Sequence, residues 1–286
     1  MTTIVTHALQ PFGVELEIDL AGELDDDAIA AVREAYAAQD LVLFRNQHLT
    51  FDQQLRFGEL LGPVLMSDSG VMSRETVIGL AGVELCFHSD YGYSPEPLQA
   101  ISLLATDVVD GETSTRFASG RHAYRLLDAA TRARLDGLRT LQVFGARPDA
   151  RNRLAQLDPV LPNTAHPLVW PDGQTDPDDR YLFAPEMTTD SIVGLDPDDS
   201  EAVIGEVFDA LYGAGRVLEH RWTNGDLVIW NNVSVVHARG DVSQVGRRSL
   251  QRVTLGTKGY LDLYPELANY EWDNSGAMIE GDAFSS

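Results

Sequence analysis

His88 and Asp90 lie two residues apart in the apolar, aromatic segment CFHSDYGYSP, residues 86–95. If this segment is a β-strand, side chains two positions apart point to the same face. An imidazole and a carboxylate on one face can hold two adjacent positions of a metal ion. A second histidine would complete the set that leaves three positions open in non-haem Fe(II) oxygenases. The pair alone also fits a packed histidine beside a turn aspartate, so the third ligand must come from elsewhere.

His237 is the best candidate for that third ligand among the seven histidines. It ends the apolar stretch GDLVIWNNVSVVH, which predicts buried strands. His220 also lies in a predicted strand, but its neighbours Glu219 and Arg221 indicate a solvated face. A histidine in a core can equally be a packing residue, and the segment that follows His237 bears on this choice.

Two arginines follow His237 in the predicted strand RSLQRVTL. Arg248 and Arg252 share one strand face with Leu250 between them. Guanidinium groups on the inner face of an apolar strand are costly to bury without anionic partners. A bound dicarboxylate is one such partner, because the guanidinium fork matches a carboxylate bidentately. An exposed edge strand, or pairing of both arginines with buried acids, is the alternative.

The elements that would position these residues are mainly strands with a few peripheral helices, which favours a β-sandwich or jelly roll over a doubly wound parallel sheet. Thr50 and Gln53 form a capping box at one helix start, and Asp196-Pro197 opens another helix. The predicted helices cover 24–40, 51–62, about 120–128, about 130–137 and about 197–213. The predicted strands are GVELEID (13–19), LVLFR (41–45), ETVIGL (75–80), VELCFH (83–88), LQAISLLATDVV (98–109), STRFAS (114–119), VLEHRW (217–222), GDLVIWNN (225–232) and RSLQRVTLG (248–256).

The 286 residues are predicted to form one domain, 1–286, because no Pro/Gly/Ser linker divides the chain. Residues 145–190 are rich in Pro, Asp and Asn, which predicts a loop-rich segment of the kind that covers a site like a lid. The acidic, Gly-containing tail, about 265–286, is expected to be loose.

Composition excludes several classes of partner. The chain has 44 acidic and 21 basic residues and a formal charge of −23, so nucleic-acid and membrane-surface roles are not expected. No apolar run is long enough for a transmembrane helix, and no secretory signal begins the chain. The single cysteine agrees with a reducing compartment, and a cytoplasmic location is expected. The dinucleotide, P-loop and hydrolase-elbow motifs are absent from the sequence.

Several segments, in this order and spacing, resemble the taurine dioxygenase / 2,4-dichlorophenoxyacetate dioxygenase family of Fe(II)- and 2-oxoglutarate-dependent oxygenases. The likeness extends from GVELEIDL to about Gly259 and implies a single catalytic domain with a double-stranded β-helix, a jelly-roll variant. The segments are LVLFRNQHLTFDQQLRFGELLGPV, FHSD, ETSTRFASGRHAY, HPLV, GDLVIWNN and the pair His237 with Arg248.

By this resemblance His88, Asp90 and His237 are the catalytic iron ligands, and Arg248 pairs with the distal carboxylate of 2-oxoglutarate. The implied cofactors are Fe(II), 2-oxoglutarate and O2. The implied reaction oxidises, by default hydroxylates, a C–H bond of a small and carboxylate-bearing organic molecule, with release of succinate and CO2. Desaturation, epoxidation or cyclisation in a biosynthetic pathway would use the same ligands. Because Asp90 is present, halogenation is not expected.

The resemblance also suggests residues around the iron. Thr115 in GETSTRFA matches the threonine that contacts the cosubstrate, with Thr113 as the alternative. Arg252 matches a position that binds the anionic group of the primary substrate in some members. Tyr91 and Tyr93 are candidates for substrate contacts, or are ordinary packing aromatics.

Two positions depart from the family pattern, so the primary substrate is not inherited. Members commonly have W-D-N-R where this chain has WNNV (230–233), and Trp170 stands where members often have an arginine. A homo-oligomer is a weak family expectation. A non-catalytic sensor of iron and 2-oxoglutarate and a metal-free β-sandwich interaction domain are the alternatives from other classes.

Overall fold

Two β-sheets pack face to face in the computed structural model, which describes residues 4–73, 84–171, 180–272 and 278–280. The strands of these residues are, in chain order, β1 (Thr6–Ala8), β2 (Val14–Leu16), β3 (Leu41–Phe44), β4 (Gly70–Ser73), β5 (Leu85–His88), β6 (Ala100–Val108), β7 (Ser114–Ser119), β8 (Arg139–Val143), β9 (Asn163–Pro167), β10 (Val169–Pro171), β11 (Arg180–Leu182), β12 (Thr189–Ile192), β13 (Val217–Arg221), β14 (Leu227–Asn231), β15 (Val235–Arg239), β16 (Arg248–Leu255), β17 (Tyr270–Trp272) and β18 (Met278–Glu280). The larger sheet has the order β1-β2-β3-β14-β6-β16-β4, and the smaller has the order β13-β7-β15-β5. The predicted fold, mainly β with a double-stranded β-helix (jelly-roll) core, is confirmed.

The pleat of β14 explains how one apolar run fills two cores. Successive side chains of a strand point to opposite faces of its sheet. Val228 and Trp230 point toward the smaller sheet, where the ring of Phe117 lies 5.1 Å from that of Trp230. Leu227 and Ile229 point the other way, into the core between the larger sheet and its covering helices. Both faces of this central strand are therefore buried.

Helices cover the outer faces of the sheets, and most of them begin where the sequence predicted. Asp25 caps the first helix by accepting from the amide of Ala28. Thr50 and Gln53 form the predicted capping box, which is confirmed. No helix of the described residues is long and apolar enough to cross a membrane. The helices are α1 (Asp26–Gln39), α2 (Phe51–Glu59), α3 (Gly120–Leu126), α4 (Ala129–Leu135), α5 (Pro197–Tyr212) and α6 (Tyr260–Leu263).

The segment 145–190 is more regular than its composition predicts. It contributes strands β9 and β12 to a three-stranded sheet with β8, and β10 pairs with β11. Such ladders supply the partners that the backbone polar groups of a long connection need. Residues 172–179 and the predicted strand ETVIGL at 75–80 lie outside the described residues. In the tail, β17 pairs with β18, while 273–277 and 281–286 lie outside the described residues.

His220 corrects the prediction that its strand face is solvated. In β13 burial alternates, so that His220 is buried whereas Glu219 and Arg221 are exposed. The Nε2 atom of His220 lies 3.2 Å from Oδ2 of Asp226, and the same oxygen accepts from Arg45 Nη1 at 2.8 Å. The flanking charges indicated the outer face of the strand, and His220 itself lies on the inner one.

Candidate active site

His88 and His237 lie directly opposite each other on the antiparallel neighbours β5 and β15. Opposed residues of an antiparallel pair present their side chains on the same face. Their ring centroids are 4.1 Å apart. The register of this pair therefore brings together two histidines that are far apart in the sequence.

Asp90 reaches these histidines from a turn, so the condition that a strand should place it on one face with His88 is not met. β5 ends at His88, and Tyr91 has a positive φ of 59°. Oδ1 of Asp90 lies 3.3 Å from Nε2 of His88 and 3.7 Å from Nε2 of His237. One potential ligand atom from each of the three residues lies within 4.8 Å of the others. The predicted ligand set is assembled in space, although a turn carries its carboxylate.

The three side chains fit a metal ion. Bonds of about 2.1 Å at right angles place neighbouring ligand atoms about 3 Å apart. The separation of 3.3 Å between Asp90 and His88 is close to this value, and that of 3.7 Å between Asp90 and His237 is longer. His88 Nδ1 donates to the carbonyl oxygen of Cys86 at 2.9 Å, which leaves the lone pair on Nε2, the atom facing Asp90. Burial and the nearby His88 hold the pKa of His237 well below its usual value. His237 is therefore a neutral imidazole, the form that binds metals.

Arg252 contacts the carboxylate of this set directly. Its Nη2 donates to Oδ2 of Asp90 at 2.6 Å, and its Nε donates to Oγ1 of Thr254 at 2.9 Å. Burial opposes ionisation of Asp90, but the charge of Arg252 and the contact with His88 outweigh it and hold the Asp90 pKa well below its usual range. One edge of the guanidinium that was predicted to bind substrate is thus occupied by Asp90.

Arg248, four residues earlier on β16, is buried at 6% exposure. Its Nε donates to Oγ1 of Thr113 at 3.4 Å. No carboxylate of the described residues lies within ion-pair distance of it. Burial, with a smaller effect from the charge of Arg239, lowers the pKa of Arg248 to about 10, so that it stays cationic at neutral pH. A buried cation without an anionic partner is a strong site for a carboxylate.

Thr115 and Thr113 have different surroundings. Thr115 Oγ1 accepts a hydrogen bond of 3.0 Å from the indole nitrogen of Trp222, and Thr115 lines the cavity beside the ligand set. Because a hydroxyl has one donor and two acceptor positions, Thr115 keeps its proton for another partner. Thr113 accepts from Arg248 and is not among the residues that line the cavity.

A cavity of about 570 Å³ joins these groups. Tyr91 and Tyr93 line it, and the Tyr91 hydroxyl donates to Oδ1 of Asp68 at 2.5 Å. None of the three residues that depart from the family pattern, Asn231, Val233 and Trp170, lies in its described wall. The segment 145–190 contributes four residues to the wall: Gly145, Pro148, Met187 and Thr188.

Three polar residues of this region were not predicted. Arg239 and Asp68 line the cavity, and Asn232 hydrogen-bonds the backbone of Asp90. Arg239 follows His237 by two residues on the same strand, so strand periodicity could have predicted that both side chains lie on one face. Asp68 carries no local pattern, because only the folded chain brings it to the site. Asn232 stands at the asparagine of the W-D-N-R motif, but the motif alone assigned it no contact with Asp90.

The family model described as "Taurine catabolism dioxygenase TauD, TfdA family" matches residues 5–254. The chain belongs to this family. This TauD/TfdA family protein is therefore an oxidoreductase of the 2-oxoglutarate-dependent dioxygenase class, as the sequence predicted.

Named relatives agree with this assignment, and a solved structure agrees with the fold. The chain is 27% identical to the alpha-ketoglutarate-dependent 2,4-dichlorophenoxyacetate dioxygenase of Cupriavidus pinatubonensis, over 88% of this chain and 97% of that enzyme; alpha-ketoglutarate is 2-oxoglutarate. It is 26% identical to pentalenolactone F synthase of Streptomyces arenae, over 82% of this chain and 88% of that protein. A crystal structure of a taurine dioxygenase from Burkholderia xenovorans has the same fold, with a TM-score of 0.73, 24% identity, and coverage of 88% of this chain and 90% of that one.

Proposed function

We propose that this dioxygenase holds Fe(II) with His88, Asp90 and His237 and hydroxylates a C–H bond of a small, carboxylate-bearing molecule. The observation that carries the proposal is the convergence of three ligand atoms within 4.8 Å on the wall of a cavity large enough for a small ligand. Iron bound there supplies activation of O2, coupled to conversion of 2-oxoglutarate to succinate and CO2. The residues of the chain bind and orient the two organic molecules.

Arg248 and Thr115 bind the distal carboxylate of 2-oxoglutarate in this proposal. Support comes from the buried guanidinium, for which the described residues offer no carboxylate, and from the hydroxyl proton that Thr115 retains. A dianionic cosubstrate would relieve the cost of burying this charge. Arg248 and Thr115 both line the cavity, whereas Thr113 supports Arg248 from behind through Oγ1.

The primary substrate occupies the part of the cavity near Tyr91 and Tyr93, with its carboxylate toward Nη1 of Arg252. Within the described residues that nitrogen has no hydrogen-bond partner, whereas Nη2 and Nε are engaged. The relative from Cupriavidus is named for 2,4-dichlorophenoxyacetate, which ends in a carboxylate. The relative from Streptomyces is named as a synthase, which favours a biosynthetic oxidation, including desaturation, epoxidation or cyclisation, as the second candidate.

The test is an anaerobic titration of the protein with Fe(II) and 2-oxoglutarate, followed by the weak metal-to-ligand charge-transfer absorbance. We expect a band that saturates at one iron per chain and is abolished by His88→Ala. Addition of O2 with a panel of small carboxylic acids should then release succinate in step with oxidised product. A protein that shows the band but forms no succinate with any panel member would be a sensor, and one without the band would refute the metal site.

Separate variants test the proposed roles of the organic-ligand residues. Thr115→Val should weaken the affinity for 2-oxoglutarate about tenfold, by the loss of a hydrogen bond to a charged group. Thr113→Val should weaken it less, because that residue acts through Arg248. The assignment of Arg252 fails if Arg252→Ala leaves the affinity for the primary substrate unchanged.

A further inference from the structure

Asn232 makes three polar contacts with the turn that carries Asp90. Its side chain is fully buried, in the connection between β14 and β15. Oδ1 accepts from the amide N–H of Asp90 at 3.0 Å. Nδ2 lies 3.0 Å from the carbonyl oxygen of Asp90, 2.9 Å from that of Leu98 and 3.1 Å from Oγ of Ser89. The amide N–H on one side and two carbonyls on the other fix the orientation of the Asn232 amide group.

We propose that Asn232 is a positioning residue of the metal centre, which holds both backbone polar groups of Asp90 and thereby aims its carboxylate at the histidines. The proposal rests on the metal ligands proposed above. It assigns Asn232 no contact with iron, cosubstrate or substrate.

The turn needs such contacts because its backbone does not belong to a strand. β5 ends at His88, so no strand ladder binds the amide N–H of Asp90, and Asn232 Oδ1 is its partner. The next residue, Tyr91, adopts φ of 59°, a conformation that costs a non-glycine residue about 1–3 kcal/mol and persists only where the surroundings hold it. The four contacts of Asn232 are suited to holding it.

Asn232 also connects the two separate pieces of the ligand set. Its own amide N–H donates to the carbonyl oxygen of Gln99 at 3.0 Å, and its chain leads within five residues to His237 on β15. The same residue therefore ties the turn of Asp90 to the start of the strand that carries the second histidine. A shift of Asn232 would move Asp90 relative to both imidazoles.

The neighbouring Asn231 provides a matched control. Its Oδ1 accepts from the amides of Val233 and Ser234, at 3.0 and 3.1 Å. Asn231→Asp keeps an acceptor at this position and preserves both contacts. Asn232→Asp has the same change in size and charge, but it replaces the Nδ2 donor by an oxygen that faces two carbonyl oxygens, which is unfavourable in a buried site.

The experiment measures Mn(II) affinity by titration calorimetry without 2-oxoglutarate or substrate, on wild type, Asn231→Asp and Asn232→Asp. We expect Asn232→Asp to bind Mn(II) ten- to hundredfold more weakly, the usual effect of losing an outer partner of a metal ligand. Asn231→Asp should bind like wild type. In the metal-free proteins, amide exchange of the peptide 88–94 should be faster in Asn232→Asp alone, with unchanged exchange in the peptides of β14.

The possible outcomes separate this inference from the proposed function. Wild-type protein that binds no Mn(II) refutes the metal site itself. Normal amide exchange at 88–94 in Asn232→Asp would then also refute the proposal that Asn232 holds the turn. Wild-type affinity in Asn232→Asp, with wild-type binding intact, refutes the positioning role alone. If Asn232→Asp does not fold, Asn232→Ser, which is smaller and neutral, carries the same two measurements with the same expected direction.

Discussion

Replacing Arg248 by methionine should stabilise the metal-free protein while removing its affinity for 2-oxoglutarate. The guanidinium is 6% exposed, and no carboxylate of the described residues pairs with it. The buried cation therefore lowers the free energy of unfolding as long as no anion is bound beside it. Methionine is unbranched, fills much of the space of the arginine stem and carries no charge, so it removes this cost.

The lowered pKa of Arg248 gives the size of the expected stabilisation. Its fall from the ordinary arginine value to about 10 corresponds to about 3 kcal/mol of disfavoured charge at neutral pH, at about 1.4 kcal/mol per unit of pKa. The hydrogen bond of 3.4 Å to Thr113, which the variant loses, offsets about 1 kcal/mol. We expect Arg248→Met to raise the free energy of unfolding by about 2 kcal/mol, from these two contributions.

The destabilisation caused by Arg248 should depend on pH in one direction. Because the folded-state pKa of Arg248 is depressed, the destabilisation is fully present below about pH 10 and disappears as the pH rises from there toward the ordinary pKa of arginine. The difference between variant and wild type should therefore be constant from pH 6 to pH 9. A difference that changes within this window would indicate that another group is responsible.

Urea denaturation of the metal-free proteins measures the effect, and the adjacent arginine is the control. Arg247 is 70% exposed and lies 3.3 Å from Asp107, so Arg247→Met should change the free energy of unfolding by less than about 1 kcal/mol. With Mn(II) and 2-oxoglutarate, wild type and Arg247→Met should gain stability by mass action, whereas Arg248→Met should gain only the part due to the metal. An Arg248→Met protein less stable than wild type would refute the reasoning.

Three further predictions concern residues behind the site and in the core. Trp222→Phe removes the indole donor 3.0 Å from Thr115 Oγ1, so the Michaelis constant for 2-oxoglutarate should rise severalfold with a smaller change in kcat, measured by succinate release; an unchanged constant would contradict the link. Asp226→Asn should cost about 1–3 kcal/mol at pH 7. Because partners lower the pKa of Asp226, although burial opposes them, this difference should shrink as the pH falls through that lowered pKa, and denaturation at pH 7 and pH 3 tests it. In Gly120→Ala the new Cβ would lie 2.1 Å from the carbonyl oxygen of Leu182, so little folded protein is expected; a thermal midpoint equal to wild type would contradict this close approach.

The chemistry of the site was predictable because spacing on a strand states which side chains share a face. Arg248 and Arg252 line one cavity, as their separation of four residues on β16 indicated. The residues around His237 predicted only a buried strand, and the choice of this histidine as a ligand came from the family resemblance. Asp90 shows the limit of this logic, since the strand ends two residues before it and the carboxylate converges from a turn. The predicted end of this strand at His88 is confirmed, but periodicity does not show where a side chain beyond the end of a strand lies.

The partners of Asp90 illustrate why the rest was not predictable. Arg252 and Asn232 contact it across 162 and 142 residues of sequence. Such pairs depend on the order and register of strands in two packed sheets, which local patterns do not encode. The predicted anionic partner of Arg252 was a substrate, and the folded chain supplies one of its own in Asp90.

Residue types and their spacing alone indicated candidate metal ligands and a cationic strand face, because coordination and charge pairing depend on side-chain identity. The order of several segments, through their resemblance to a known family, supplied the expected ligand set and the class of chemistry. Tertiary structure alone decided which nitrogen of Arg252 remains available, which threonine lines the cavity and which asparagine contacts the turn that carries Asp90. These choices are geometric. They follow from how two sheets and their connections pack, because a hydrogen bond is lost when its donor and acceptor move apart by about 1 Å.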